Sequence, residues 1–309
     1  MSPLFSAVIP TYNRARTVGR AIQSVLAQTY HDYEIWVIDD GTDNTEEVIR
    51  PFHDRLNYRR GPGAGVAAAR NLGISKASGA YMAFLDADDL WYPHKLEWVA
   101  RAIQTHSEVG LFYSKLSFTD ESGKILWIPR VRDVGRRGYP ILLAGNFVAN
   151  STAIVRKDCF ERVGGFDTEL SGCEDWELWI RVARFYPIRL IPKVLVAYEY
   201  LSEGSLSSRP AVWLKAHDEV LDKSFRLDPS LSHQTRRWIR SSIAYVKGRI
   251  QLAAQAENQA LSEFRQAVKL NHANWRALVY IGVLSLPWVR RHLPLRVKRA
   301  LRLREAYES

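Results

Sequence analysis

The sequence predicts an α/β domain in which apolar strands alternate with amphipathic helices, followed by a basic helical extension. Three observations carry this. Tyr81-Met82-Ala83-Phe84-Leu85 is an apolar run that ends in Asp86-Ala87-Asp88-Asp89. Tyr33-Glu34-Ile35-Trp36-Val37-Ile38 repeats the design and ends in Asp39-Asp40-Gly41, while the positive charge of the chain gathers at its C-terminal end. Runs of this kind read as buried strands of an α/β sheet, whose ligands collect at the carboxyl ends of the strands.

The elements follow in order. Ser6-Ala7-Val8-Ile9 is the first strand, broken at Pro10 into the polar Thr11-Tyr12-Asn13-Arg14, and Thr17 to Gln28 has the spacing of an amphipathic helix. After the second strand, Gly61-Pro62-Gly63-Ala64-Gly65 is a flexible loop whose glycines let backbone approach a ligand. It leads into a helical Val66 to Gly73 that carries Arg70. Beyond Asp89 a helix is expected from Trp91 to Ala100, with Asp88 or Asp89 as its cap. Far downstream, Glu174-Asp175 stands just ahead of an apolar helix from Trp176 to Arg184, where Asp175 also suits an N-cap.

Charge places the domain boundary. Residues 1–209 hold 25 Lys+Arg and 25 Asp+Glu, whereas 210–309 hold 18 and 8, so the formal net charge of +10 is all C-terminal. A domain over 1–209 and a helical extension over 210–309 are expected. In the extension, Ile243, Val246, Ile250 and Ala253, then Leu261, Phe264, Ala267 and Val268, mark two helices. Tyr245, Gly248, Ala260, Phe264 and Ala267 are faintly similar to one tetratricopeptide helix pair, which cannot bury its own face, so packing on the first domain is expected.

Cys159 and Cys173 are too few for a disulfide framework and have no zinc spacing, which points to a reducing compartment, the cytoplasm. The N-terminus does not read as a secretory signal, because Phe5 to Pro10 is already a strand. No run reaches the roughly 18 apolar residues of a membrane span. The nearest, Ala277 to Val289, contains Ser285 and Pro287 and is followed by Arg290, Arg291, Arg296, Lys298, Arg299, Arg302 and Arg304. This reads as a surface anchor for anionic lipid on the inner face of the membrane, each cation adding about 1 kcal/mol. Nucleic acid is not an expected partner, since no recognition module accompanies the charge.

The alternating carboxylates Asp86 and Asp88 at a strand terminus are hard oxygen ligands suited to Mg²⁺ or Mn²⁺ shared with a substrate diphosphate. Together with Val8-Ile9-Pro10-Thr11-Tyr12-Asn13-Arg14, Asp39-Asp40-Gly41, Ala68-Ala69-Arg70-Asn71 and Glu174-Asp175-Trp176, this D-x-D resembles the pattern of glycosyltransferase family 2. The resemblance covers roughly residues 5 to 208. It implies a GT-A domain, a Rossmann-like nucleotide-diphospho-sugar transferase, which inverts the anomeric centre of an NDP-sugar donor, with UDP as the expected nucleotide. The implied acceptor is a hydroxyl of a glycan or lipid-linked molecule, in surface polysaccharide synthesis.

The resemblance also implies roles. Pro10, Thr11, Tyr12 and Arg14 would line the nucleotide. Asp39 or Asp40 would accept from the base imide or a ribose hydroxyl, with Asp40 favoured. Arg70 would stack on the base or offer its donor fork to base or phosphate. Asp86, with Ala87, would touch the ribose or support the ion, and Asp88 would hold the metal. Asp175 would be the general base, ionised at neutral pH if it keeps an ordinary aspartate pKa of about 3.9. Glu174 and Trp176 would lie on the acceptor side, and residues 127 to 151 and the C-terminal region would contribute to acceptor recognition, with Trp176 and Trp179 offering faces to a sugar ring.

Two departures stand out. The second motif runs Gly41-Thr42-Asp43, one residue shorter than the family's pattern, and Tyr198-Glu199-Tyr200-Leu201-Ser202-Glu203-Gly204-Ser205 lacks the histidine that often reaches the metal there. Remaining histidines such as His94 and His217 read as surface residues. Two other readings compete. A nucleotidyltransferase would carry a Gly-rich basic loop after its first strand, which Pro10-Thr11-Tyr12-Asn13 is not. A noncatalytic scaffold with a partner-binding tail fits the lost histidine but not the retained Asp88 and Asp175. Processive synthesis is not expected, without membrane helices or a Gln-x-x-Arg-Trp motif.

Overall fold

The apolar runs form strands of one mixed sheet. The structure, a computed structural model, describes residues 2–131, 133–135, 138–200 and 210–285. In chain order the elements are β1 (Phe5–Thr11), α1 (Val18–Leu26), β2 (Tyr33–Asp39), α2 (Thr45–Ile49), β3 (Asn57–Arg60), α3 (Val66–Lys76), β4 (Tyr81–Phe84), β5 (Leu90–Trp91), α4 (Lys95–Thr105), β6 (Leu111–Thr119), β7 (Ile125–Trp127) and α5 (Gly138–Leu143). There follow β8 (Ile154–Arg156), α6 (Asp158–Val163), α7 (Glu174–Phe185), β9 (Ile188–Glu199), α8 (Pro210–Leu227), α9 (His233–Ala253), α10 (Glu257–Leu270) and α11 (Trp275–Ser285).

The sheet order is β3-β2-β1-β4-β8-β6-β9-β5, with β7 beside β6. β1, β2, β3 and β4 run parallel, β8 runs against both β4 and β6, and β9 returns parallel to β6. Every residue of β1 is buried, as its central place and continuous apolar run demand. α1 covers the sheet with Val18, Ala21, Ile22 and Val25, the helical spacing expected of it.

One expected helix is displaced. Leu90 and Trp91 pair with Ala197 and Val196 as a short antiparallel strand, and the helix begins only at Lys95. Tertiary pairing overrides the helical pattern there, because Trp91 buries its ring and donates Nε1–H to the carbonyl of Ser151 (3.0 Å).

The chain divides into two compact units. The first holds 1–139, 148–170 and 174–204; the second holds 140–147, 171–173 and 205–309. In the first, Phe84, Phe166 and Trp179 meet edge to face and tilted at 5.2–6.1 Å, a geometry that favours aromatic pairs beyond their buried area.

In the second unit, Tyr245, Phe264 and Tyr280 build the core of α9, α10 and α11, with Phe264 stacked on Tyr280 at 4.7 Å. Gly248 allows it, since a Cβ there would lie 2.6 Å from the Phe264 ring. Ser171 is held in this unit by Glu219 of α8 (2.9 Å). His217, expected at the surface, is buried; it lies 2.7 Å from the Trp213 carbonyl, and burial lowers its pKa.

Of the expected anchor, 277–285 lies in α11, where Ala277 and Tyr280 are core residues, and 286–309 falls outside the described residues, as does the stretch 201–209 where the histidine was missed. No helix among the described residues is long and apolar enough to cross a membrane.

Candidate functional site

Strand register gathers the motifs. Thr11 is aligned with Asp39 and Val8 with Phe84, while Asp40 N donates to Thr11 O (2.9 Å) and Leu85 N to Val8 O (3.1 Å). Thr11, Asp39-Asp40 and Asp86 therefore leave the sheet along one edge.

The loop after β1 is braced on the loop after β2. Asn13 takes a positive φ of 53°, tolerated by asparagine, and its Oδ1 accepts from the N–H groups of Thr42 (2.7 Å) and Asp43 (3.2 Å). Asp43 in turn accepts from Ala15 N (3.1 Å). Pro10 and Thr11 are buried and Tyr12 is 65% exposed, free to lie against a planar ligand.

Asp39 and Asp40 divide their tasks. Asp39 is fully buried and accepts from Gly41 N (2.8 Å), Tyr58 Oη (3.0 Å) and Arg60 Nη1 (2.8 Å). Asp40, partly exposed, accepts from Gly63 N (3.0 Å) and Gly65 N (3.2 Å). Those two glycines have φ of 68° and 87°, which a side chain would strain, so the Gly-rich loop is shaped to wrap the Asp40 carboxylate.

Arg70 is the centre of the arrangement. It is 4% exposed, with Nη2 2.8 Å from Asp86 Oδ1, Nη1 2.6 Å from Glu174 Oε1 and its guanidinium over the Phe166 ring at 5.2 Å. These contacts tie the D-x-D strand end to α7, while the buried Arg70 Nε has no hydrogen-bond partner among the described residues. The two carboxylates hold the Arg70 pKa above its usual value despite burial, which pulls it down most strongly.

The D-x-D acids are also sorted. Asp86 Oδ1 accepts from Asn150 Nδ2 (2.8 Å) as well as Arg70, and its side chain keeps 30% exposure. Ala87 is buried. Asp88 faces Arg14, with Nη2 3.4 Å from Oδ2. Asp89, expected as a cap, is instead a buried tether that accepts from Ser151 Oγ (2.5 Å) and Glu199 N (3.3 Å). Burial, then the charges of Asp88 and Asp86, raises its pKa well above the aspartate range.

Glu174 and Asp175 open α7 rather than precede it, and Asp175 Oδ1 accepts from Trp176 N (2.6 Å). Although part of Asp175 still meets solvent, its carboxyl is enclosed by protein. Desolvation, with the Glu174 charge adding to it and Arg70 opposing, pushes its pKa up to about 7. It is thus only partly ionised at neutral pH, against the ordinary value expected from sequence, and lies where a general base works best. Trp176 and Trp179 are fully buried, and Trp179 Nε1 donates to Val148 O (3.1 Å), so neither offers a face to a sugar.

Among the described residues no cluster of three or more groups forms a metal cage. The donor set fits a different regime, in which Mg²⁺ or Mn²⁺ is held by one or two carboxylates together with substrate phosphates. Tyr58 and Arg60 lie outside every segment the sequence marked, whereas Asn13 falls in the first motif and Asn150 and Ser151 in the 127–151 stretch expected on the acceptor side. Each joins these carboxylates and loops through partners distant in the chain, and no local pattern announces such a pairing.

The profile of the family described as Glycosyl transferase family 2 matches residues 6–164. The chain belongs to glycosyltransferase family 2. Glu174 and Asp175 lie beyond the matched stretch. An uncharacterized glycosyltransferase of Rickettsia felis is 30% identical over 209 residues, covering 65% of this chain and 35% of that protein. An Escherichia coli protein named UDP-Glc:alpha-D-GlcNAc-diphosphoundecaprenol beta-1,3-glucosyltransferase is 29% identical over 225 residues, 71% of this chain and 85% of its own. The matched stretch spans about a third of the R. felis relative.

Among solved structures, Staphylococcus aureus TarS 1–349 in complex with UDP-GlcNAc has a TM-score of 0.65 at 17% identity, covering 100% of this chain and 91% of that one. A mannosyltransferase of Pyrobaculum calidifontis in complex with GDP-Man and Mn²⁺ reaches 0.61 at 18%, covering 99% and 87%. These likenesses establish the GT-A fold.

Proposed function

We propose that the protein is an inverting glycosyltransferase that moves a sugar from an NDP-sugar, with UDP favoured, to a hydroxyl of a glycan or lipid-linked acceptor in surface polysaccharide synthesis. The observation that carries this is Arg70, which ties Asp86 at the D-x-D strand end to Glu174 beside Asp175. One buried cation thereby fixes the donor-side and base-side carboxylates relative to each other. The UDP-Glc named for the E. coli relative and the UDP-GlcNAc complex of TarS support the nucleotide, and the diphosphoundecaprenol named for the former supports a lipid-linked acceptor.

In this reading Tyr12 lies against the base, Asp40 and Asp86 accept hydroxyl or imide hydrogens, and Asp88 holds Mn²⁺ or Mg²⁺. The ion supplies Lewis-acid stabilisation of the departing diphosphate. The Asp175 carboxylate takes the proton of the acceptor hydroxyl as its oxygen bonds to the anomeric carbon from the face opposite the leaving group. The bond to the diphosphate oxygen breaks with its electron pair leaving on the diphosphate, which inverts the centre. Catalysis is assigned to residues 1–209, and the basic extension over 210–309 is assigned to holding the enzyme at an anionic membrane surface.

Calorimetry of UDP and GDP, with and without Mn²⁺, on the wild type and Asp88→Asn tests the donor site. Tight Mn²⁺-dependent UDP binding that collapses in the variant is expected; no binding of either nucleotide under any condition sinks the reading.

A further inference from the structure

Within the D-x-D segment the three carboxylates are engaged differently. Asp86 Oδ1 is shared by Arg70 and Asn150, and Asp89 is buried against Ser151 and the Glu199 backbone. What faces Asp88 is already a cation, the Arg14 guanidinium at 3.4 Å, with side chains 22% and 18% exposed. Arg14 belongs to the loop that Asn13 and Asp43 brace, so its charge is delivered by a defined backbone. The pair is open enough for ligand to enter and firm enough to set the local field.

We infer that Arg14 makes cation capture at Asp88 conditional on a bound diphosphate. This rests on the sugar-nucleotide reading and adds a device to it. Without nucleotide, the guanidinium neutralises Asp88 and repels a divalent ion seeking the same oxygens. Each pair of unit charges at about 4 Å changes an equilibrium constant roughly fivefold even in water, so a dication is disfavoured by more. A diphosphate reverses the sign. Its oxygens accept the planar donor fork of Arg14 and attract the ion, so Asp88 is released to ligate while Arg14 turns to phosphate. Because linkage is reciprocal, nucleotide then tightens the ion as much as the ion tightens nucleotide, and Arg14 supplies part of that coupling.

The test is Mn²⁺ binding to the full chain, read by calorimetry and by the electron paramagnetic resonance signal of free Mn²⁺, with and without UDP, and with GDP in parallel. Wild type, Arg14→Gln and Arg14→Lys are compared. Without nucleotide, Arg14→Gln is expected to bind Mn²⁺ about fivefold more tightly than wild type or better. The factor by which UDP tightens Mn²⁺ should shrink correspondingly, and Arg14→Lys, which keeps the charge, should stay near wild type. The inference is overturned if Arg14→Gln binds Mn²⁺ alone no better than wild type, or if Arg14→Lys gains as much as Arg14→Gln. A wild type that binds neither nucleotide, with or without Mn²⁺, overturns the functional reading itself and this device with it.

Discussion

The carboxyl edge of the sheet and the core of the helical unit are both buried, but one is built from charge and the other from hydrocarbon. At the edge, Arg70, Asp39 and Asp89 are almost wholly excluded from solvent and each is paired with named partners, Arg70 Nε alone of the guanidinium nitrogens lacking one among the described residues. In the helical unit, Tyr245, Phe264 and Tyr280 pack among Ala244, Ala260, Ala267 and Ala277. Taking a charge out of water costs several kcal/mol even after relaxation, and apolar residues of the same volume often hold a fold equally well. Stability alone therefore does not call for the ionic edge; it is where chemistry is to be expected.

The comparison breaks most visibly at Asp175. Its change to Asn should lower turnover by about 10²–10⁴-fold, the usual worth of a positioned general base, while the thermal midpoint stays level or rises as a poorly solvated carboxylate is lost. A fall in activity below about tenfold, read from nucleotide release, would place the base elsewhere.

Next come two core changes of similar size and different character. Arg70→Gln strands the buried Glu174 beside the partly exposed Asp86 and should cost about 3–5 kcal/mol. Phe264→Ala leaves a cavity and should cost about 3–5 kcal/mol as well. Urea denaturation of rescuing variants separates them. Arg70→Lys, which keeps a cation beside Asp86 and Glu174, should recover part of the Arg70→Gln loss, whereas at position 264 only an apolar side chain that refills the cavity, as in Phe264→Leu, should do so.

Titration sharpens the contrast further. Between the ordinary aspartate value of 3.8 and about 7, the folded chain keeps a proton on Asp175 that the unfolded chain has lost, so this residue's contribution to stability falls as pH rises through that window. Activity should rise over the same approach to pH 7, as the base ionises. Denaturation midpoints of Asp175→Asn that retain the full slope over this range would contradict the assignment.

The smallest effect is expected at Lys95. It is fully buried, donates to the Thr152 carbonyl (2.9 Å), lies over the Trp91 ring at 5.3 Å, and burial lowers its pKa to about 7. Between about 7 and the ordinary 10.5 the unfolded chain holds the extra proton, so stability rises with pH there, the opposite of Asp175. Lys95→Met should flatten that rise and stabilise the protein at neutral pH on the order of 1 kcal/mol; destabilisation would show that the ammonium has a partner the fold depends on.

Much of this was legible in the residues. The runs at 5–9, 33–38 and 81–85 announced strands, their terminal acids marked the edge along which Asp39, Asp40 and Asp86 leave the sheet, and the motifs from Val8 to Trp176 identified the family, because strand period, chain breaks and motif spacing are local properties. The periodic positions of Ile243 and Phe264 likewise placed two helices, though not their full lengths. What needed the tertiary structure was every role set by partners distant in the chain. Arg70 became a buried tie because Glu174 meets it from α7. Asp89 became a tether rather than a cap because Ser151 and Glu199 reach it. Trp176 turned inward, and Asp175 acquired a pKa near 7. Burial and the field of neighbouring charges decide those matters, and both depend on how the chain returns to itself, which no stretch of sequence records.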